Sequence, residues 1–96
     1  MAAAMIRTFR HKRLDAFFTK DDAGGLNNNW VKRISRLLDR LDAAKQSQDM
    51  NLPGLGFHPL SGNRKGTYSV TVSGNWRITF RFDGEHVVDV DLEDYH

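Results

Sequence analysis

The chain has 96 residues, 40% hydrophobic and 27% charged, which is enough for one hydrophobic core and too few for two domains. It contains no cysteine, which excludes disulfide frameworks, thiolate metal sites and thiol nucleophiles and points to a reducing compartment, the cytoplasm; no apolar run approaches the roughly 20 residues of a membrane span. The net charge of +2 is unevenly spread, with ten Lys/Arg against five Asp/Glu in residues 1–48 and four against seven in residues 49–96, so the first half is suited to phosphate backbones and the second to a basic partner.

Met1-Ala-Ala-Ala precedes a second methionine and reads as a leader at residues 1–4, leaving a single domain at residues 5–96. Met5 to Phe9 is expected to pair as a short strand. Leu14, Phe17 and Phe18 then recur at helical spacing until Asp21-Asp22-Ala23-Gly24-Gly25 stops the helix. Asn28 or Asn29 is a suitable N-cap for a second helix, in which Trp30, Ile34, Leu37, Leu38 and Leu41 share one face. The opposite face carries Lys32, Arg33, Arg36, Arg40 and Lys45, a cationic stripe that is either solvated surface or a contact for a polyanion. Asn51–Gly56 and Ser61–Gly66 are loops by composition, with Phe57-His58-Pro59-Leu60 between them. From Tyr68 the period changes to two. Tyr68, Val70 and Val72 alternate with polar residues, Ser73-Gly74 turns the chain, and Trp76, Ile78, Phe80 and Phe82 alternate with Arg77, Thr79 and Arg81. Asp83-Gly84 signals a hairpin, after which Val88, Val90 and Leu92 are expected to line one face of a last strand. The expected fold is α+β, with a short N-terminal strand and two N-terminal helices packed on a mainly antiparallel meander of three or four strands.

If Trp76, Ile78, Phe80 and Phe82 face the core, Arg77 and Arg81 project from the uncovered side, where Arg77 has either a cross-strand acid such as Asp89 or Asp91 or a ligand to meet. His58 opens the Ser61–Gly66 loop, and His96 follows Tyr95 as the final residue. Imidazole both gives and takes a proton near neutral pH. Neither a paired-histidine metal motif, a P-loop, a dinucleotide fingerprint nor a nucleophile elbow is present. One reaction suits this inventory. Cleavage of RNA through its own 2′-hydroxyl requires a base, a cation for the crowded phosphorane and an acid for the leaving 5′-oxygen, with no metal or cofactor. His58, His96, Arg77, Tyr95 and Arg64 have the chemistry for those roles.

Four segments in order, His58-Pro-Leu-Ser-Gly-Asn-Arg-Lys-Gly66, Tyr68-Ser-Val-Thr-Val, Asn75-Trp-Arg-Ile-Thr-Phe80 and Glu93-Asp-Tyr-His96, resemble the HigB toxins of the RelE/ParE superfamily. The likeness begins at Met5-Ile-Arg-Thr-Phe9 and runs to His96. It implies a type II toxin that cleaves messenger RNA on the translating ribosome, inhibits translation and is neutralised by a HigA-like antitoxin with a helix-turn-helix fold, through which alone it reaches operator DNA. The fold implied is two N-terminal helices on a sheet. The resemblance places catalytic roles on His58, Arg77, Tyr95 and His96, and makes Arg64, Lys65, Lys32, Arg36 and Arg40 candidate RNA contacts. Where some relatives carry a lysine after His-Pro-Leu this chain has Ser61, a loss that Arg64 or Lys65 could offset. Two other readings share the fold: a ParE-like inhibitor of DNA gyrase, which needs no acid/base histidines, and a degenerate toxin that retains only antitoxin binding and operon regulation.

Overall fold

The computed structural model describes residues 6–95; the leader expected at residues 1–4, Met5 and His96 lie outside them. Helix α1 spans Lys12–Lys20 and α2 spans Val31–Ala43; strands β1 (His58–Pro59), β2 (Thr67–Ser73), β3 (Trp76–Asp83) and β4 (His86–Asp94) form one antiparallel sheet in the order β1-β2-β3-β4. Among the described residues no helix is long and apolar enough to cross a membrane.

Helix α1 begins at His11, whose Nδ1 accepts the Leu14 N–H at 3.3 Å, and ends at Asp21 in the left-handed region with φ 56°. The second helical segment is capped one residue earlier than expected. Asn27 Oδ1 accepts from Asn29 N–H at 2.9 Å and starts a single 3-10 turn at Asn28–Trp30, which runs directly into α2. A side-chain oxygen can satisfy a first-turn donor only from outside the helix, so the cap precedes both asparagines expected to supply it. Lys45 lies beyond the end of α2.

The apolar face of α2 is fully committed to the core: Ile34, Leu37, Leu38 and Leu41 are buried with Val70, Ile78, Phe80, Val87 and Val90 from the sheet, Leu14 from α1, and Met50. Of the strand expected over Met5–Phe9, the described residues Ile6–Phe9 do not form a continuous strand. Ile6 and Phe9 make isolated parallel bridges to Val87 and Val90, with Arg7 and Arg10 N–H donating to the Val87 and Val90 carbonyls at 2.7 and 2.8 Å.

The last strand departs from simple alternation. Val87 and Val90 are both fully buried although three residues apart, so Val88, Val90 and Leu92 do not share a face as expected. The cause is a bulge. The β3–β4 register shifts by one between Thr79 and Arg81, and Asp89 takes a positive φ of 56° with its N–H donated to Thr8 Oγ1 at 2.8 Å. One extra residue on β4 exchanges the faces of every side chain beyond it, so Val88 stands opposite Arg81 on the helix-free side while Leu92 stands opposite Ile78 over the core.

Candidate active site

Residues directly opposite each other on adjacent strands share a sheet face. Across the helix-free face one row therefore reads His58, Ser69, Thr79, Asp91, and the next reads Thr71, Arg77, Glu93. Ser69 and Thr79 are buried and form a polar floor. His58 and Arg77 stand two strands and two residues apart, which places their Cα atoms about 12 Å from each other at ordinary strand spacing and rise. Side chains of this length reach inward from both ends of such an interval to a single phosphodiester.

His58 is exposed on β1, the edge strand, and its Nδ1 lies 2.7 Å from the Pro59 carbonyl oxygen. A carbonyl only accepts, so Nδ1 carries a proton and Nε2 is the ring nitrogen left to exchange one. His11 has the opposite arrangement, since its Nδ1 accepts a backbone N–H. One histidine is occupied as a helix cap, and the other is exposed on the edge strand with its Nδ1 bonded to a carbonyl.

Arg77 is half-buried. One terminal nitrogen donates to Thr71 Oγ1 at 3.1 Å, while Nε is buried without a hydrogen-bond partner. Neither expected acid pairs with it: Asp89 sits in the bulge and Asp91 lies opposite Thr79, and among the described residues Arg77 forms no salt bridge. The residue opposite Arg77 is Glu93, whose carboxylate is held from elsewhere. Arg64, from the 3-10 turn Gly62–Arg64, donates both terminal nitrogens to Glu93 at 2.8 and 2.7 Å, and the Thr79 hydroxyl donates to the same carboxylate. This bidentate bond holds the Glu93 carboxyl below its ordinary range, with the Thr79 bond and the nearby charges of Arg64 and Arg10 acting in the same direction against partial burial. The same contact raises Arg64 further above the ordinary arginine value.

Tyr95 is 39% exposed, and its N–H donates to the Asn75 carbonyl at 2.8 Å, which fixes the chain just past β4. Through Glu93, Arg64 connects the Ser61–Gly66 loop to the end of β4, across the face that carries Arg77. Lys65 is exposed in that loop. Lys32, Arg36 and Arg40 are exposed on α2, the helix that covers the other side of the sheet, and are not brought together with His58 and Arg77. The fourth cation of that stripe is structural: Arg33 donates twice to the Thr71 carbonyl at 3.1 and 2.9 Å and once to the Gly54 carbonyl at 2.8 Å, closing the part of β2 that β1 does not reach.

Thr71 is thus held from three directions, by Arg33, by Arg77 and by its own N–H bond to the Leu55 carbonyl at 2.8 Å. Gly56 presses against it. A Cβ at Gly56 would come 2.5 Å from Thr71 Oγ1, and the φ of +62° already favours glycine. Sequence reasoning named neither Thr71 nor Glu93 as part of the site, although alternation alone puts Thr71 on the Arg77 side.

Residues 7–96 match the model of the HigB-like toxin family, described as RelE-like toxins of type II toxin-antitoxin systems. The chain is 39% identical over 92 residues to Endoribonuclease HigB of Proteus vulgaris, covering 96% of this chain and 100% of that one. It is 32% identical over 80 residues to Toxin HigB-1 of Vibrio cholerae serotype O1, covering 81% and 84%. The fold is similar to that of the YoeB dimer from Staphylococcus aureus, with a TM-score of 0.63 at 21% identity over 98% of this chain and 99% of that one. A chain of the YoeB-YefM complex from the same organism gives 0.59 at 22% identity, over 97% and 99%.

Proposed function

Because the chain belongs to the HigB-like toxins, RelE-like toxins of type II toxin-antitoxin systems, we propose that it is an endoribonuclease that cuts messenger RNA on the ribosome and thereby inhibits translation. The reading extends to a cytoplasmic toxin neutralised by a HigA-like helix-turn-helix antitoxin, which alone would bring it to operator DNA. The observation that carries it is that an exposed imidazole and a guanidinium without an acid partner among the described residues stand on the same helix-free sheet face, about two strands apart.

In this mechanism His58 Nε2 takes the proton of the RNA 2′-hydroxyl as that oxygen attacks the adjacent phosphorus. Arg77 stabilises the negative charge gathering on the phosphorane oxygens. The bond to the 5′-oxygen then breaks with a proton supplied from the C-terminal end, by Tyr95 or His96, leaving a 2′,3′-cyclic phosphate and a free 5′-hydroxyl. Atoms balance without metal or cofactor, because attacking and leaving groups both belong to the RNA. Lys65 is the exposed cation of the loop beside the site once Arg64 is engaged by Glu93. Lys32, Arg36 and Arg40 serve as phosphate contacts to ribosomal RNA away from the reacting bond.

The test is incubation of the purified chain with programmed ribosomes and mapping of mRNA ends by primer extension. New ends are expected with the wild type, and His58→Ala or Arg77→Ala should lower the cleavage rate by about 10² to 10³. Intact mRNA together with inhibited gyrase would select the ParE-like reading instead.

A further inference from the structure

Glu93 and Arg77 are directly opposite in the β3–β4 register, an arrangement in which oppositely charged side chains start with Cβ atoms about 5 Å apart and ordinarily meet. Here they do not. Glu93 is held by both terminal nitrogens of Arg64 and by the Thr79 hydroxyl, whereas Arg77 turns the other way, to Thr71 Oγ1, and keeps Nε unpaired. One carboxylate lies within reach of two guanidiniums, and the one arriving from the loop holds it. A two-pronged charge-assisted contact with a third donor on the same carboxylate is the stronger competitor for it.

We infer that Arg64 is a positioning residue which, by holding Glu93, keeps that carboxylate off Arg77 and so preserves the Arg77 charge for the RNA phosphate. The inference rests on the ribonuclease reading of this face and assigns Arg64 a role different from a direct phosphate contact. Without Arg64, Glu93 rotates towards its cross-strand neighbour. An Arg77 neutralised by Glu93 offers less to the phosphorane, so the loss falls on turnover, whereas a lost RNA contact would fall on binding.

A double-mutant cycle on the full chain with programmed ribosomes separates these roles. Arg64→Ala should lower kcat by about 10- to 100-fold, within the range for loss of a transition-state donor, with little change in KM. Adding Glu93→Gln, which removes the competing charge, should restore most of that loss, and in an Arg77→Ala background Arg64→Ala should cost almost nothing further. If Arg64→Ala does not fold, Arg64→Lys serves: it keeps the charge but loses the fork, and should show a smaller loss with the same rescue. A loss that Glu93→Gln leaves unchanged, or one expressed as a raised KM, would overturn the inference. A second readout needs no activity. The Arg77 Nε resonance in NMR should move in Arg64→Ala and return in Arg64→Ala/Glu93→Gln; an unmoved signal refutes the clamp, whereas a moving signal from a wild type that cleaves no RNA keeps the clamp and rejects the ribonuclease reading.

Discussion

At the scale of single residues, the site is organised by which donor reaches which acceptor first. His58 has its Nδ1–H taken by the neighbouring carbonyl, and Arg77 bonds a hydroxyl rather than the cross-strand acid that was one of its two expected partners. Alternation placed Arg77 on the correct face, but its surroundings depended on Arg64, which is thirteen residues away in the chain and crosses two strands to reach β4. The Arg64–Glu93 contact also makes stability depend on pH. Glu93 titrates lower in the folded chain than in the unfolded one, so its contribution is complete above the ordinary glutamate value of about 4.3 and is lost as the pH falls through the depressed folded value. The midpoint of urea unfolding should therefore drop on acidification through that window. Glu93→Gln should flatten the drop, leaving the part due to Asp22 and Asp49, two surface carboxylates that backbone N–H bonds also hold low.

At the scale of elements, the β4 bulge decides what faces Arg77. Asp83 pairs with His86 and Arg81 with Val88, and the same register continued without interruption would set Leu92 opposite Arg77; the extra residue at Asp89 sets Glu93 there. The bulge is supported from the N-terminal segment, where Thr8 Oγ1 accepts the Asp89 N–H and the Thr8 carbonyl accepts that of Val90. A β-branched residue resists the left-handed conformation that Asp89 adopts at φ 56°. Asp89→Val should cost about 1–2 kcal/mol of stability by chemical denaturation, while Asp89→Gly should be close to neutral. If both behave alike, the positive φ is not what holds the register. Helix α2 was legible because four leucines and isoleucines at 3.6-residue spacing have one partner surface available, the sheet. The asparagine cap belongs to the 3-10 turn that leads into α2, which itself starts after Trp30 without a side-chain cap, and it sits one residue before Asn28 because Asn27 to Asn29 all have the required side chain and only backbone direction distinguishes them.

At the scale of the molecule, two layers divide the labour. The helices close one sheet face with the apolar core, and the other face carries the polar rows of His58 and Arg77. The exposed cations of α2 lie on the far side of the core from those rows, so they act, in the proposed function, through summed attraction to a polyanion. Ribosome association should weaken steeply as salt rises, and Lys32→Ala, Arg36→Ala or Arg40→Ala singly should each reduce the salt slope by about one phosphate contact without abolishing binding. Filter binding across a salt series checks this; complete loss from one substitution would show a specific contact instead.

The α+β class, the two helices, the antiparallel meander and the outward direction of Arg77 follow from the sequence alone, because hydrophobic period is a local property that each segment carries with it. The pairing of Glu93 with Arg64, the shift of register at Asp89 and the support of Thr71 by Arg33 and Gly56 required the tertiary structure. Each joins residues distant in the chain, where a one-residue slip exchanges faces and the winner among competing charges depends on which side chain arrives with the better geometry.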